Sequence, residues 1–367
     1  MGVSSCCLAH NKMNVREFEL GYVSRDYQLT ICIPTFNRGN FIEQTLKSII
    51  AQLNHNIEII IFDGASSDNT SEVVLNTCKD ISQVRYFRQE MNGGIDLDMA
   101  SSVEMSSAPY CWLFSSDDIM IDGAIKKITG LIEASSSDII LCGMTLCASD
   151  MSPICDHHIW SVGDNRTYDL GIKDIREQYL QNSLTTTALF SFLGNIIFKR
   201  QVWDQGLNSE VYLGSCWAHV ARFMSLIPQG LKVSIFQEPL LLNRGGNDSF
   251  SKDGKIARIA LSIDGFLKIF NSCFGENSFE TQEIIRILNY EWPFHAYVDA
   301  YDNIHSSNQK YQKELMRLFK LTHPTENYRN MVLQFILENS FSRKLFTMMV
   351  VLKNYSKRFI KLRARRN

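Results

Sequence analysis

Five short apolar runs alternate with stretches of helical spacing through the first 145 residues, and that alternation most constrains the fold. The first run, Leu29-Thr30-Ile31-Cys32-Ile33, is expected to stop at Pro34. Phe41, Ile42, Leu46, Ile49 and Ile50 then recur at helix spacing. Residues 57–62 form a near-continuous apolar run, which suits a parallel strand buried on both faces. Residues 63–70, rich in helix-capping types, lead into a helix through Val73, Val74 and Leu75. Residues 84–87, 110–114 and 138–142 read as further strands, with helices expected over 95–105 and 124–134. Such alternation predicts an α/β fold with a mostly parallel sheet flanked by helices. Ligands of such sheets bind beyond the carboxyl ends of the strands. Residues 34–38, 63–68 and 115–118 all fall there.

Residues 150–190 carry no clear pattern. Beyond them, 195–198 and 232–236 read as strands and 216–226 as a helix. From about residue 256 the spacing turns helical, over 256–274, 283–301, 309–321 and 331–352, with a kink expected at Pro293.

With 45% hydrophobic and 21% charged residues the chain is an ordinary globular protein, and a net charge of −2 argues against nucleic acid as partner. Charge is uneven, however. Arg343, Lys344, Lys353, Lys357, Arg358, Lys361, Arg363, Arg365 and Arg366 follow one another without an acid. The apolar stretch 345–352 is far below the roughly 20 residues that a spanning helix needs. This tail is either a solvated terminus or a contact with an anionic membrane. The ten cysteines show no metal-type spacing, and Cys6 and Cys7 are adjacent. The first 25 residues lack a secretory apolar core, and Cys6 stands where myristoylation wants Ser or Thr. Reduced thiols in a cytoplasmic protein are expected.

Ser115-Ser116-Asp117-Asp118 closes a buried strand. Two adjacent carboxylates there raise each other's pKa, and a hard divalent cation, Mg2+ or Mn2+, relieves them while leaving positions open for phosphate. The competing reading is a helix N-cap pair. Asp63 ends the second strand, where a carboxylate can accept from a nucleobase N–H or a ribose hydroxyl, whereas Asp68 suits a structural turn. Pro34-Thr35-Phe36-Asn37-Arg38 replaces any glycine-rich phosphate loop, which argues against dehydrogenases and kinases.

Four ordered motifs, Ile33-Pro34-Thr35-Phe36-Asn37-Arg38, Asp63-Gly64-Ala65-Ser66-Ser67-Asp68-Asn69-Thr70, Asn92-Gly93-Gly94 and Ser116-Asp117-Asp118, resemble those of glycosyltransferase family 2, which has the GT-A fold. Within the family, the chain looks most like bacterial O-antigen transferases of the abequosyltransferase type. The resemblance implies an inverting enzyme that moves a sugar from a nucleotide-sugar donor to a glycan or lipid-linked acceptor, using Mg2+ or Mn2+. It implies that Pro34, Thr35, Asn37, Arg38, Asp63 and Asn92 serve the donor. Asp117 would touch ribose or metal, and Asp118 would ligate the metal. It further implies an N-terminal extension (1–27), a GT-A domain (28–250, with nucleotide-binding half 28–145 and acceptor half 146–250), a helical region (251–352) and the basic tail (353–367). Peripheral attachment at the cytoplasmic face of the inner membrane would follow from that tail.

The sequence departs from the pattern at Gly64, where many members carry a second acid, and at Ser116, the first acid of a D-x-D. The Glu-Asp pair that relatives carry near a late helix is also missing. Glu210 and His219 stand as candidates for the catalytic base, with Asp204 third. His219 between Trp217 and Phe223 also suits a buried helix histidine. Asn243-Arg244-Gly245-Gly246-Asn247-Asp248-Ser249 resembles a loop over the donor diphosphate, with Arg244 placed to take phosphate oxygens; a surface turn is the other reading. Absence of the base leaves a second function open, an inactive nucleotide-sugar-binding scaffold. A sugar nucleotidyltransferase would want a glycine-rich, basic first loop instead.

Overall fold

The computed structural model describes residues 14–161, 165–206, 209–251, 253–302, 309–324 and 328–349. The chain forms two compact units, Met1–Asp248 and Ser249–Asn367. The first is built on one sheet of β1 (Val15–Phe18), β2 (Leu29–Thr35), β3 (Ile57–Asp63), β4 (Val84–Gln89), β5 (Tyr110–Leu113), β6 (Ile119–Met120), β7 (Ile139–Cys147), β8 (Pro153–His157), β9 (Thr167–Asp169), β10 (Ile196–Lys199) and β11 (Lys232–Arg244). Strand order is β1-β4-β3-β2-β5-β10-β7-β11-β6, with β8 on β7 and β9 on β11. Helices α1 (Ile42–Ile50), α2 (Thr70–Thr77), α3 (Ile95–Glu104), α4 (Ala124–Ala134), α5 (Lys173–Asn182), α6 (Arg200–Gln205), α7 (Ala218–Met224) and α8 (Ile227–Gly230) join them.

The expected parallel block is β4-β3-β2-β5. β10 then enters antiparallel to both β5 and β7, so the sheet is mixed across its middle. Every residue of β2 and β3 is buried. Burial of each large aliphatic side chain there contributes about 1.5–3 kcal/mol. α1 turns Ile42, Thr45, Leu46 and Ile49 inward at the spacing read from the sequence.

Pro34 does not end β2, contrary to expectation; the strand continues to Thr35, opposite Asp63. The reason is geometric. Cys32 bonds toward β5 through the Phe114 amide (2.9 Å), so Pro34, two residues on, also faces that side. β5 has already ended at Leu113. The missing N–H therefore falls where the sheet has parted, and a proline breaks no ladder bond there.

The stretch before residue 28 is also more than an appendage. β1 covers the free edge of β4 in antiparallel register. Tyr22 reaches the buried carboxylate of Glu58 (2.8 Å), which also accepts from the Thr30 hydroxyl (2.6 Å), the Ser107 amide (3.0 Å) and the Ser107 hydroxyl (2.9 Å). Burial, then Glu58 itself, pushes the Tyr22 phenol up to about 12.

The second unit holds α9 (Lys255–Phe274), α10 (Phe279–Glu291), α11 (Phe294–Asp302), α12 (Gln309–Thr322) and α13 (Tyr328–Glu338), with 340–349 also helical. The single kinked helix expected over 283–301 is two helices, separated at Trp292 and Pro293. Phe266, Phe270, Leu288, Tyr297 and Phe319 form part of its core. The described cysteines are free thiols, and Cys6 and Cys7 lie outside the described residues, as does the tail 353–367. No helix among the described residues is long and apolar enough to cross a membrane.

Glu58→Ala removes the acceptor shared by the buried Thr30 hydroxyl and by Tyr22 and Ser107 nearer the surface, and is expected to destabilise the chain by about 2 kcal/mol. A urea titration followed by circular dichroism reads this as a lowered midpoint, and Glu58→Gln should recover part of the loss.

Candidate active site

The polar loops converge at the carboxyl edge of the sheet. Just past β5, Asp118 is 1% exposed and Asp117 is 9% exposed. Neither caps a helix: α4 starts from Gly123, and no side chain caps it. The Asp118 carbonyl accepts from Thr45 on α1 (2.7 Å). Its carboxylate accepts from the Arg244 amide (2.9 Å) and from Asn243 (3.2 Å), both at the end of β11. Asp117 accepts from the Ser115 hydroxyl, from Asn247 (2.7 Å) and from Arg38 Nε (3.2 Å). The turn that delivers Asn247 needs its glycines. A side chain on Gly245 would sit 2.5 Å from the Cys147 carbonyl, and Gly246 has φ +79°.

Arg244 does not present itself to a phosphate as expected. Nε donates to the Asp117 carbonyl (2.9 Å), Nη1 to the Ser149 carbonyl (2.9 Å) and Nη2 to Gln44 (2.7 Å). The guanidinium lies over Phe41, 5.1 Å from the ring centroid, and the residue is 7% exposed. It is a clamp between β11, α1 and the acid pair.

Burial, then the Asp117 charge, raises the Asp118 carboxyl to about 7, against the pull of Arg244 and Asn243. Burial is the larger cause, since Arg38 and Arg244 both lie against the pair; oxygens of this kind suit a hard cation. Among the described residues no group of three His, Cys, Asp or Glu gathers for a metal. A cation here would complete its shell from ligand or water oxygens.

The residues expected to serve the nucleoside are drawn together, chiefly by one another. Asn37, at φ +53°, accepts from the Ser67 amide (2.8 Å) and donates its own amide to Ser66 (2.9 Å). Thr35 is buried, its hydroxyl unpartnered, and its carbonyl accepts from Gly64 (2.9 Å). Asp63 is fully buried. It takes the Ser66 amide (2.7 Å) and the Tyr86 hydroxyl (2.7 Å), with Arg88 Nε at 3.6 Å. Asp68 accepts from Gly39 (3.1 Å) and Thr70 (3.0 Å), the structural role read for it. Exposed Asn92 accepts from Gly94 (2.7 Å) in the turn before α3. Asn37 and Ala65 (φ +65°) both hold left-handed backbone, a strained conformation for non-glycine residues that clusters at functional edges.

The profile of the glycosyl transferase family 2 matches residues 30–206. Over 338 residues the chain is 31% identical to the abequosyltransferase RfbV of Salmonella typhimurium, across 91% of this chain and 99% of that one. The chain belongs to glycosyl transferase family 2. A GalNAc(5)-diNAcBac-PP-undecaprenol beta-1,3-glucosyltransferase of Campylobacter jejuni is 32% identical over 102 residues, 28% of this chain and 33% of its own. S. aureus TarS in complex with UDP-GlcNAc superposes at a TM-score of 0.56 over 90% of this chain and 92% of that one. At 12% identity, that likeness is one of fold.

Within this family 2 enzyme the base candidates separate. His219 sits on α7, 3% exposed, with its ring 6.5 Å from that of Trp217. Burial pushes its pKa down to about 4, so the imidazole is neutral and enclosed, as the packing reading had it. Asp204 pairs with Arg200 (3.1 Å), whose amide bonds Pro109 just before β5, at the amino end of the strands and away from the acid pair. Glu210 lies in the 3-10 turn Ser209–Tyr212, ahead of α7.

Two acids on α3 escaped sequence reasoning because they look like ordinary first-turn residues. Asp96 accepts from the Cys216 (3.0 Å) and Ala218 (3.1 Å) amides, fastening the start of α7 to α3. Asp98 fills the space at Gly64: a side chain there would lie 2.3 Å from Asp98 Oδ2. The acid missing at position 64 thus has a counterpart arriving from α3. The sequence signal was Gly64 itself, a gap that something had to fill.

Asp98 accepts from Gln89 (2.6 Å), and burial raises its carboxyl to about 7. A carboxyl raised on folding contributes stability that is full below its unfolded pKa of 3.8 and is lost as pH climbs through about 7. Asp98→Asn removes this loss. Relative to the parent, the variant should gain about 2 kcal/mol between pH 5 and 8, read from urea unfolding of metal-free protein at both pH values.

Proposed function

We propose that the chain transfers a hexose or deoxyhexose, with inversion, from a nucleotide-diphosphate sugar to a hydroxyl of a glycan acceptor in O-antigen-type surface polysaccharide synthesis. The observation that carries this reading is the buried acid pair beyond β5, walled by Arg38, Asn243 and Asn247. Similarity along nearly the whole chain to an abequosyltransferase supports a deoxyhexosyl donor. The undecaprenol-diphosphate in the name of the C. jejuni relative supports a lipid-linked acceptor.

Asp118 and Asp117 would hold Mg2+ or Mn2+, which neutralises the diphosphate as it leaves. Pro34, Thr35, Asn37, Arg38 and Asp63 form the nucleoside side, and Asn92 shapes its rim. Arg38 orients Asp117, and Arg244 holds the acid pair and α1 together so that neither drifts as charge develops. The acceptor oxygen attacks the anomeric carbon opposite the diphosphate. The bond to the phosphate oxygen breaks with its electron pair, and the acceptor proton passes to a base, a role we assign to Glu210 in the turn ahead of α7. The inactive-scaffold alternative has no support among the relatives, which are named as transferases.

A thermal-shift series of nucleoside diphosphates with and without Mn2+ tests the donor site. One nucleotide should raise the melting temperature only with the metal, and Asp118→Ala should erase that gain. A flat response across the whole series would sink the reading. Glu210→Gln should lower transfer by about 10²–10⁴ while leaving nucleotide stabilisation in place.

A further inference from the structure

Helices normally bury their apolar face and offer a polar one to water. At the end of the second unit a row of apolar residues also faces outward. On α13, Tyr328, Met331, Val332 and Phe335 are 80%, 56%, 38% and 61% exposed. On the helical stretch 340–349, Phe341, Leu345, Met348 and Met349 are 75%, 50%, 61% and 55% exposed. The first set falls at i, i+3, i+4 and i+7, and Phe341, Leu345 and Met348 at i, i+4 and i+7, so each helix turns one apolar stripe outward. The inner faces are already engaged. Leu337 is buried, and Arg343 is buried against Asp302 (3.0 Å) with its guanidinium 3.9 Å from the Tyr301 ring centroid. Arg343 thereby leaves the basic run counted from the sequence and becomes an anchor of the fold. Single exposed apolar residues need no explanation, but two aligned stripes on consecutive helices do.

We propose that this face lies on an anionic lipid surface. Charge decides among occupants. From Lys344 onward the sequence holds Lys353, Lys357, Arg358, Lys361, Arg363, Arg365 and Arg366 and no acid. A groove on another protein, or a second copy of a chain of net charge −2, would ask only for the apolar stripe. A membrane surface asks for both signals together, apolar side chains for the acyl boundary and cations for the head groups. Aromatic and methionine side chains make up most of the stripes, and these types partition to that boundary or adapt to irregular contact. The inference deepens the reading of a lipid-linked acceptor but stands on this surface alone, so its failure leaves the donor site untouched.

The full-length protein is sedimented with phosphatidylcholine vesicles and with vesicles enriched in phosphatidylglycerol. It should bind the anionic vesicles, less so as salt rises. Phe335→Ser with Phe341→Ser should weaken binding by about tenfold or more, while nucleotide stabilisation with Mn2+ stays at the parent level. Separately, Phe335→Trp should shift its fluorescence to the blue when anionic vesicles are added. Vesicle binding unchanged in the double serine variant, or an unshifted tryptophan, overturns the proposal. So does a parent that ignores vesicles and elutes as a dimer that the serine variant splits, which would assign the face to a second copy.

Discussion

Two neighbouring carboxylates kept from water at the tip of β5 set the terms for the rest of the first unit. Asp117 and Asp118 repel each other, and burial denies them solvent, so the fold must surround them with donors. It does so from three directions. α1 offers Thr45 to a carbonyl, the first loop offers Arg38, and the end of β11 offers Asn243, the Arg244 amide and Asn247. Even so, burial and the neighbouring Asp117 charge hold Asp118 up near 7.

That demand explains features that otherwise look incidental. Arg244 uses all three guanidinium nitrogens on protein acceptors, because a rigid tie between β11 and α1 keeps the acid pair in place. Gly245 must lack a side chain to pass the Cys147 carbonyl. Just past the ends of the neighbouring strands, Asn37, Ser66 and Asp63 bond to one another before any ligand arrives, so the proposed nucleoside side is organised in advance. Asp98 filling the Gly64 gap belongs to the same economy of space, an acid supplied by a helix where the strand end carries none.

Much of this was legible in the chain as written. β2, β3, β4, β5, β7 and β10 sit where the apolar runs placed them, because central strands bury both faces and write that into consecutive residues. β1, β6, β8 and β9 escaped. They are short or lie at margins, and β8 is largely exposed, so no run of apolar residues announces them. β11 runs far beyond its expected end, since register shifts around Pro239 interrupt the pattern while the strand continues beside β7.

The sequence by itself determined that carboxylates, an arginine and capping residues would arrive at the same edge of a sheet, because strand and helix periods are local properties. It also determined the family, through motifs held in order. Tertiary structure alone decided the partners. The Arg244 amide meets Asp118 across 126 residues, and Asp96 meets Ala218 across 122. Electrostatic and packing energies depend on separation in space, and separation along the chain carries no record of which distant groups the sheet order will bring within three ångströms.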